Sequence, residues 1–143
     1  MKLNNTQQRA VIFEELSRVK THPTADEVYE MAKKRIPKIS LATVYRNLEL
    51  MVSSNVIRRL NITGSRKRYD ADISRHYHLR CSKCGGVSDI YAEELREVEK
   101  ILVNLEGRNG IRDFEIEFKG VCFVCGRNDE GSGVFYENKE KNK

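Results

Sequence analysis

Four cysteines and three histidines carry most of the chemistry open to this 143-residue chain. The cysteines form two pairs, Cys81-x-x-Cys84 and Cys122-x-x-Cys125, with Gly85, Gly86 and Gly126 beside them. Thiolates spaced this way on tight turns can share one metal ion, and two such turns complete the tetrahedral all-sulfur set that zinc favours. A closed four-thiolate site has no open position, so its zinc would be scaffold rather than catalyst. Disulfides are the competing reading, which a reducing compartment disfavours. The histidines are His22, His76 and His78. His76 and His78 alternate on a strand-like run and therefore share a face, with Asp70 and Asp72 just upstream and Asp89 on the following run. Imidazoles with carboxylates suit iron(II), manganese(II) or zinc, although a lone His-x-His equally marks ordinary surface histidines.

The elements that must position these groups divide the chain in two. In the first part, Thr6 is the expected N-cap of a helix reaching about Val19, with Val11, Ile12, Leu16 and Val19 on one side. Thr24-Ala25-Asp26-Glu27 is a capping box, and the helix behind it buries Val28, Met31 and Ala32 and stops before Pro37. Ser40 caps a third helix, Leu41 to about Ser54, whose Val44, Leu48 and Met51 face inward and whose Thr43, Tyr45, Arg46 and Asn47 face outward. Two strand-like runs, 56–61 and 67–70, flank Thr63-Gly64-Ser65 as a hairpin rich in arginine. Three helices followed by a basic hairpin is the order of a winged helix-turn-helix, in which the third helix enters the major groove and the wing lies along phosphates.

Charge follows the same division. Residues 1–68 hold 14 Lys and Arg against 6 Asp and Glu, whereas residues 69–143 hold 12 against 15, which sum to the net charge of +5. A basic first part suggests a polyanion partner. Tyr45, Arg46 and Asn47 are the expected base readers, and Arg58, Arg66, Lys67 and Arg68 the expected backbone contacts.

The second part reads as strands Tyr77–Cys81 and Val87–Tyr91, an amphipathic helix from Glu93 to Leu105 (Leu95, Val98, Ile101, Leu102 and Leu105 apolar), and a strand over 114–118 that alternates cleanly. Pairing two copies would bury its apolar faces. From about Arg127 the chain turns polar, as in a frayed tail. No apolar run is long enough to span a membrane, and Met1–Asn5 lacks the apolar core of a signal peptide. The expected architecture is α+β: a winged-helix DNA-binding domain over 1–69, then a small α/β dimerisation and metal-binding domain over 70–126.

His76-Tyr77-His78-x-x-Cys81-x-x-Cys84, the distant Cys122-x-x-Cys125, the run Ala42–Leu48 and His22-Pro23-Thr24-Ala25 together resemble the ferric uptake regulator (Fur) family, and within it the peroxide-stress repressors (PerR). The resemblance spans roughly 6–126. It implies a cytoplasmic, homodimeric repressor that binds a double-stranded operator with inverted symmetry. It also implies structural zinc on Cys81, Cys84, Cys122 and Cys125, and regulatory Fe(II) or Mn(II) on His22, Asp70, His76, His78 and Asp89. Proteins of this kind lose histidine ligands by oxidation, for which His22 and His76 are the candidates here. Asp89 and Tyr77 favour the peroxide-sensing subtype, and Arg46 is closer to the iron-sensing one. The alternatives are a regulator of iron or manganese availability without oxidative chemistry, a non-haem iron enzyme with two His and a carboxylate, and a zinc-stabilised interaction module. The enzyme would need a substrate pocket for which so small a chain leaves little room.

Overall fold

The computed structural model describes residues 4–61, 66–105, 107–108, 110–112 and 114–127. Helix α1 spans Asn5–Ser17, and its cap is Asn4 rather than Thr6. Asn4 accepts from the Gln7 amide while the Gln7 side chain returns to the Asn4 amide, each at 2.9 Å. A capping box needs the acceptor and the Glu or Gln three residues apart, and Thr6 has no such partner. Thr24 and Glu27 form the expected box at the start of α2, Ala25–Lys33. Ser40 caps α3, Leu41–Ser53, through the Thr43 amide.

These helices close on a core of Val11, Ile12, Leu16, Val28, Ala32, Val44, Leu48 and Met51, extended by Ile57 and Tyr69 from the hairpin. The hairpin strands are β1, Arg58–Leu60, and β2, Arg68–Asp70, antiparallel with Arg59 opposite Tyr69. The expected turn at Thr63-Gly64-Ser65 lies outside the described residues. The segment before α2 runs beside β2, with the Tyr69 amide donating to the Pro23 carbonyl at 3.0 Å and Thr24 bridging to Arg68.

The second sheet has the order β4-β3-β5. Strands β3, Tyr77–Cys81, and β4, Val87–Ile90, are antiparallel, and β5, Glu117–Gly120, runs parallel to β3 after a crossover through α4, Arg96–Leu105. The strand expected over 114–118 is therefore displaced towards the C-terminus. His78 is opposite Glu117, so in this register residues 114 and 115 lie beyond the start of β3 at Tyr77. On α4 the apolar pattern holds, but Val98, Ile101 and Leu105 face outward and Glu99 is the buried residue. Among the described residues that face stays exposed. A short helix α5, Phe123–Arg127, carries the last cysteine and was not expected. The polar tail beyond it lies outside the described residues. Among the described residues no helix is long and apolar enough to cross a membrane.

Candidate metal centres and nucleic-acid face

Cys81 ends β3, Cys84 sits in the following turn, and Cys122 and Cys125 lie before and within α5. Gly85 takes φ 70° to close the turn, a left-handed conformation that glycine adopts without steric cost. A Cβ on Gly86 would meet the Cys84 sulfur at 3.2 Å. The four sulfur atoms lie within 4.8 Å of one another, and none is in a disulfide. The Cys122 and Cys84 amides donate to the Cys81 sulfur at 3.3 and 3.5 Å, which brings its thiol down to about 6. Cys125 is driven the opposite way, to about 12, by sulfur contacts with Cys122 and Cys84. Thiols this close cannot all ionise without a cation among them. The cluster suits a structural zinc ion.

The second centre gathers side chains from both parts of the chain. His22 and Asp70 come from the loop before α2 and the end of β2; His76 precedes β3, His78 lies on it and Asp89 on β4. Asp89 Oδ1 is 2.6 Å from His22 Nε2, 3.3 Å from His76 Nε2 and 3.7 Å from His78 Nε2. Asp70 Oδ2 is 2.9 Å from His76 Nε2 and 3.3 Å from His78 Nε2, and Asp70 Oδ1 lies 3.7 Å from His22 Nδ1. One donor atom each from His22, Asp70, His78 and Asp89 falls within a mutual 4.8 Å. His76 falls outside that set, though it touches both carboxylates.

Electrostatics make this a cation site. The His76 Nδ1 donates to the Ser74 carbonyl at 3.0 Å, which turns Nε2 and its lone pair towards the carboxylates. Burial pushes the His22 imidazole below its usual value despite Asp70 and Asp89 beside it. Burial also opposes the Asp70 charge, yet hydrogen bonds from His78 and the Asp72 amide, with His22 and His76 nearby, hold its carboxyl below the ordinary range. A buried carboxylate kept ionised beside an imidazole that burial pushes towards its neutral form, that of His22, suits a divalent metal. His22 also has φ 49°, uncommon for a residue with a Cβ, and its carbonyl is held by the Arg68 guanidinium at 2.9 Å.

On the expected nucleic-acid face, Tyr45 and Arg46 are exposed on α3. Asn47 is not. It is buried, donating to the Thr43 carbonyl at 2.9 Å and accepting from Arg9 Nε at 3.2 Å. The inward stripe Val44, Leu48, Met51 includes position 47 at helical spacing, which corrects its outward placement. Arg66 and Lys67 are exposed, whereas Arg58 and Arg68 are half-buried with their guanidinium groups engaged: Arg58 donates to the Ile73 carbonyl at the surface, and Arg68 donates to the His22 carbonyl and lies 3.7 Å from Glu27. Sequence reasoning missed Arg9, which supports Asn47, and Glu49, which ties α3 to the wing through Tyr69 and Arg59. It also missed Tyr91, whose only sequence signal is its position two residues after Asp89.

The family model for the ferric uptake regulator family matches residues 1–118. This chain belongs to the ferric uptake regulator family. Among its relatives are the peroxide-responsive repressor PerR of Staphylococcus epidermidis, 34% identical over 84% of this chain and 79% of that one, and the peroxide operon regulator of Bacillus subtilis, 34% identical over 87% of this chain and 85% of that one. The crystal structure of the Campylobacter jejuni peroxide stress regulator is 32% identical, with a TM-score of 0.72 over 85% of this chain and 90% of that chain. The ferric uptake regulator chain is thus PerR-like by homology. The relatives named are regulators, and its His and Asp cluster supports a regulatory metal beside the four-cysteine zinc site.

Proposed function

We propose that this protein is a metal-dependent, peroxide-sensing transcriptional repressor, acting in the cytoplasm as a homodimer on an operator with inverted symmetry and carrying out no enzymatic turnover. The observation that carries the reading is the convergence of three imidazoles and two carboxylates from both parts of the chain. In this reading residues 1–69 bind DNA and residues 70–126 dimerise, with the uncovered apolar side of α4 as part of the dimer face. Cys81, Cys84, Cys122 and Cys125 hold zinc. His22, Asp70, His76, His78 and Asp89 hold the regulatory metal. Tyr45 and Arg46 reach base edges and Arg66 and Lys67 reach phosphates; Asn47 acts from inside the recognition helix, and Arg58 and Arg68 brace the wing through the Ile73 and His22 carbonyls.

Held by these residues, ferrous iron would supply the chemistry that turns hydrogen peroxide into an oxidant within reach of the ligands. His22 is the anchor on the DNA-binding side, so its oxidation, or that of His76, removes a donor that joins the two parts. With that tie gone, the two recognition helices of a dimer are no longer fixed at the half-site spacing. The test is anaerobic loading with Fe(II) or Mn(II), a brief peroxide pulse, and peptide mapping by mass. One added oxygen at His22 or His76 in the iron form alone, with loss of operator binding, is the expected result. Unmodified histidines with metal-dependent DNA binding would instead make the protein a sensor of iron or manganese availability.

A further inference from the structure

Tyr91 stands just past the end of β4, two residues after Asp89, and the two-residue period of extended chain sends both side chains to one face. Its ring stacks on the His76 imidazole, centroids 5.4 Å apart and planes inclined by 30°. That imidazole is wholly buried while Tyr91 is 60% exposed, so the phenol ring lies between a metal-facing histidine and water. The Tyr91 hydroxyl donates to Asp72 Oδ2 at 3.1 Å and, more weakly, to Asp89 Oδ2 at 3.5 Å. All three histidines approach the other oxygen of Asp89, Oδ1. The carboxylate is therefore divided, one oxygen to the histidines and one to Tyr91.

We propose that Tyr91 is a positioning residue of the regulatory metal centre: its ring fixes the plane of His76, and its hydroxyl restricts Asp89 to one metal-facing oxygen. This rests on the reading of the His and Asp cluster as a metal site. Residues that orient ligands in this way set affinity and coordination without touching the ion. Asp72, the other partner of the hydroxyl, lies 3.7 Å from Lys20, so the same phenol joins β4 to the segment between α1 and α2.

The experiment uses the full chain with its zinc in place and Co(II) as the probe of the second centre. Tyr91→Phe keeps the ring and loses the hydroxyl; Tyr91→Leu loses both. In the metal-free protein, the ring-current displacement of the His76 ring protons persists in Tyr91→Phe and disappears in Tyr91→Leu. With cobalt, both variants lose visible absorption intensity as Asp89 brings its second oxygen to the ion. Mn(II) affinity falls on the order of ten-fold in Tyr91→Leu, and less in Tyr91→Phe. Wild-type uptake of cobalt with variants indistinguishable in spectrum, affinity and His76 shifts overturns the role of Tyr91 alone. A wild-type chain that takes up no cobalt beyond the cysteine site overturns the metal centre, and this proposal with it.

Discussion

The two parts of the molecule are held together by different physics. Helices α1 to α3 and the wing enclose a continuous apolar core from Val11 to Tyr69. Beyond the wing, the buried apolar residues among those described reduce to Tyr77, Cys81 and Val87, and α4 turns its apolar side outward. A unit with so little of its own to bury is marginal unless something staples it. Here the staple is the four-sulfur cluster joining the β3–β4 turn to the segment around α5, together with the surface a second copy would cover. The lesson is that zinc in this chain substitutes for core, whereas in the proposed reading the second metal would tie the two parts together and carry the signal.

Removing the staple should have the largest effect. Cys84→Ser with Cys122→Ser, or stripping zinc with a strong chelator, should abolish the structure of the β3–β5 sheet, since structural zinc contributes about 10 kcal/mol or more to small folds. The helices of the first part should retain their circular dichroism. Simultaneous loss of both would refute the division. The converse is Leu48→Ala, at a side chain with no exposure in the core of the first part. It should cost about 3 kcal/mol in denaturant unfolding while zinc content, measured by metal analysis, stays unchanged.

The smallest effect concerns Glu99, which the Tyr77 hydroxyl and the Arg75 guanidinium hold below the ordinary carboxylate range. A depressed carboxyl stabilises the fold in full above its unfolded value and loses that contribution as the pH falls through its folded one. Melting temperature between pH 6 and 3 should therefore fall less steeply in Glu99→Gln than in the wild type. Parallel curves would show that Glu99 contributes only packing.

The caps of α2 and α3, the inward stripes of all three helices and the two Cys-x-x-Cys pairs could be read from residue types and spacing, because each depends on neighbours within a turn or a strand, whereas His22 joined the second set of ligands only through the family resemblance. What escaped depends on partners distant in sequence. Asn47 is polar, so its type suggested solvent, but Arg9 on another helix supplies the partner that lets it be buried. Arg58 and Arg68 looked like phosphate contacts, and their guanidinium groups are used by carbonyls 15 and 46 residues away. The strand over 114–118 had the right alternation, yet its bounds are set by where β3 begins.

Strand β2 has only three residues, and each has a separate errand. Arg68 grips the His22 carbonyl, Asp70 reaches His76 and His78, and between them Tyr69 points the other way to donate to Glu49 on α3 at 3.0 Å. Two peptide units, about 7 Å of extended chain, are the whole length of this linkage. A strand so short and so fully engaged leaves little slack between the Asp70 carboxylate and Glu49, on the helix that presents Tyr45 and Arg46.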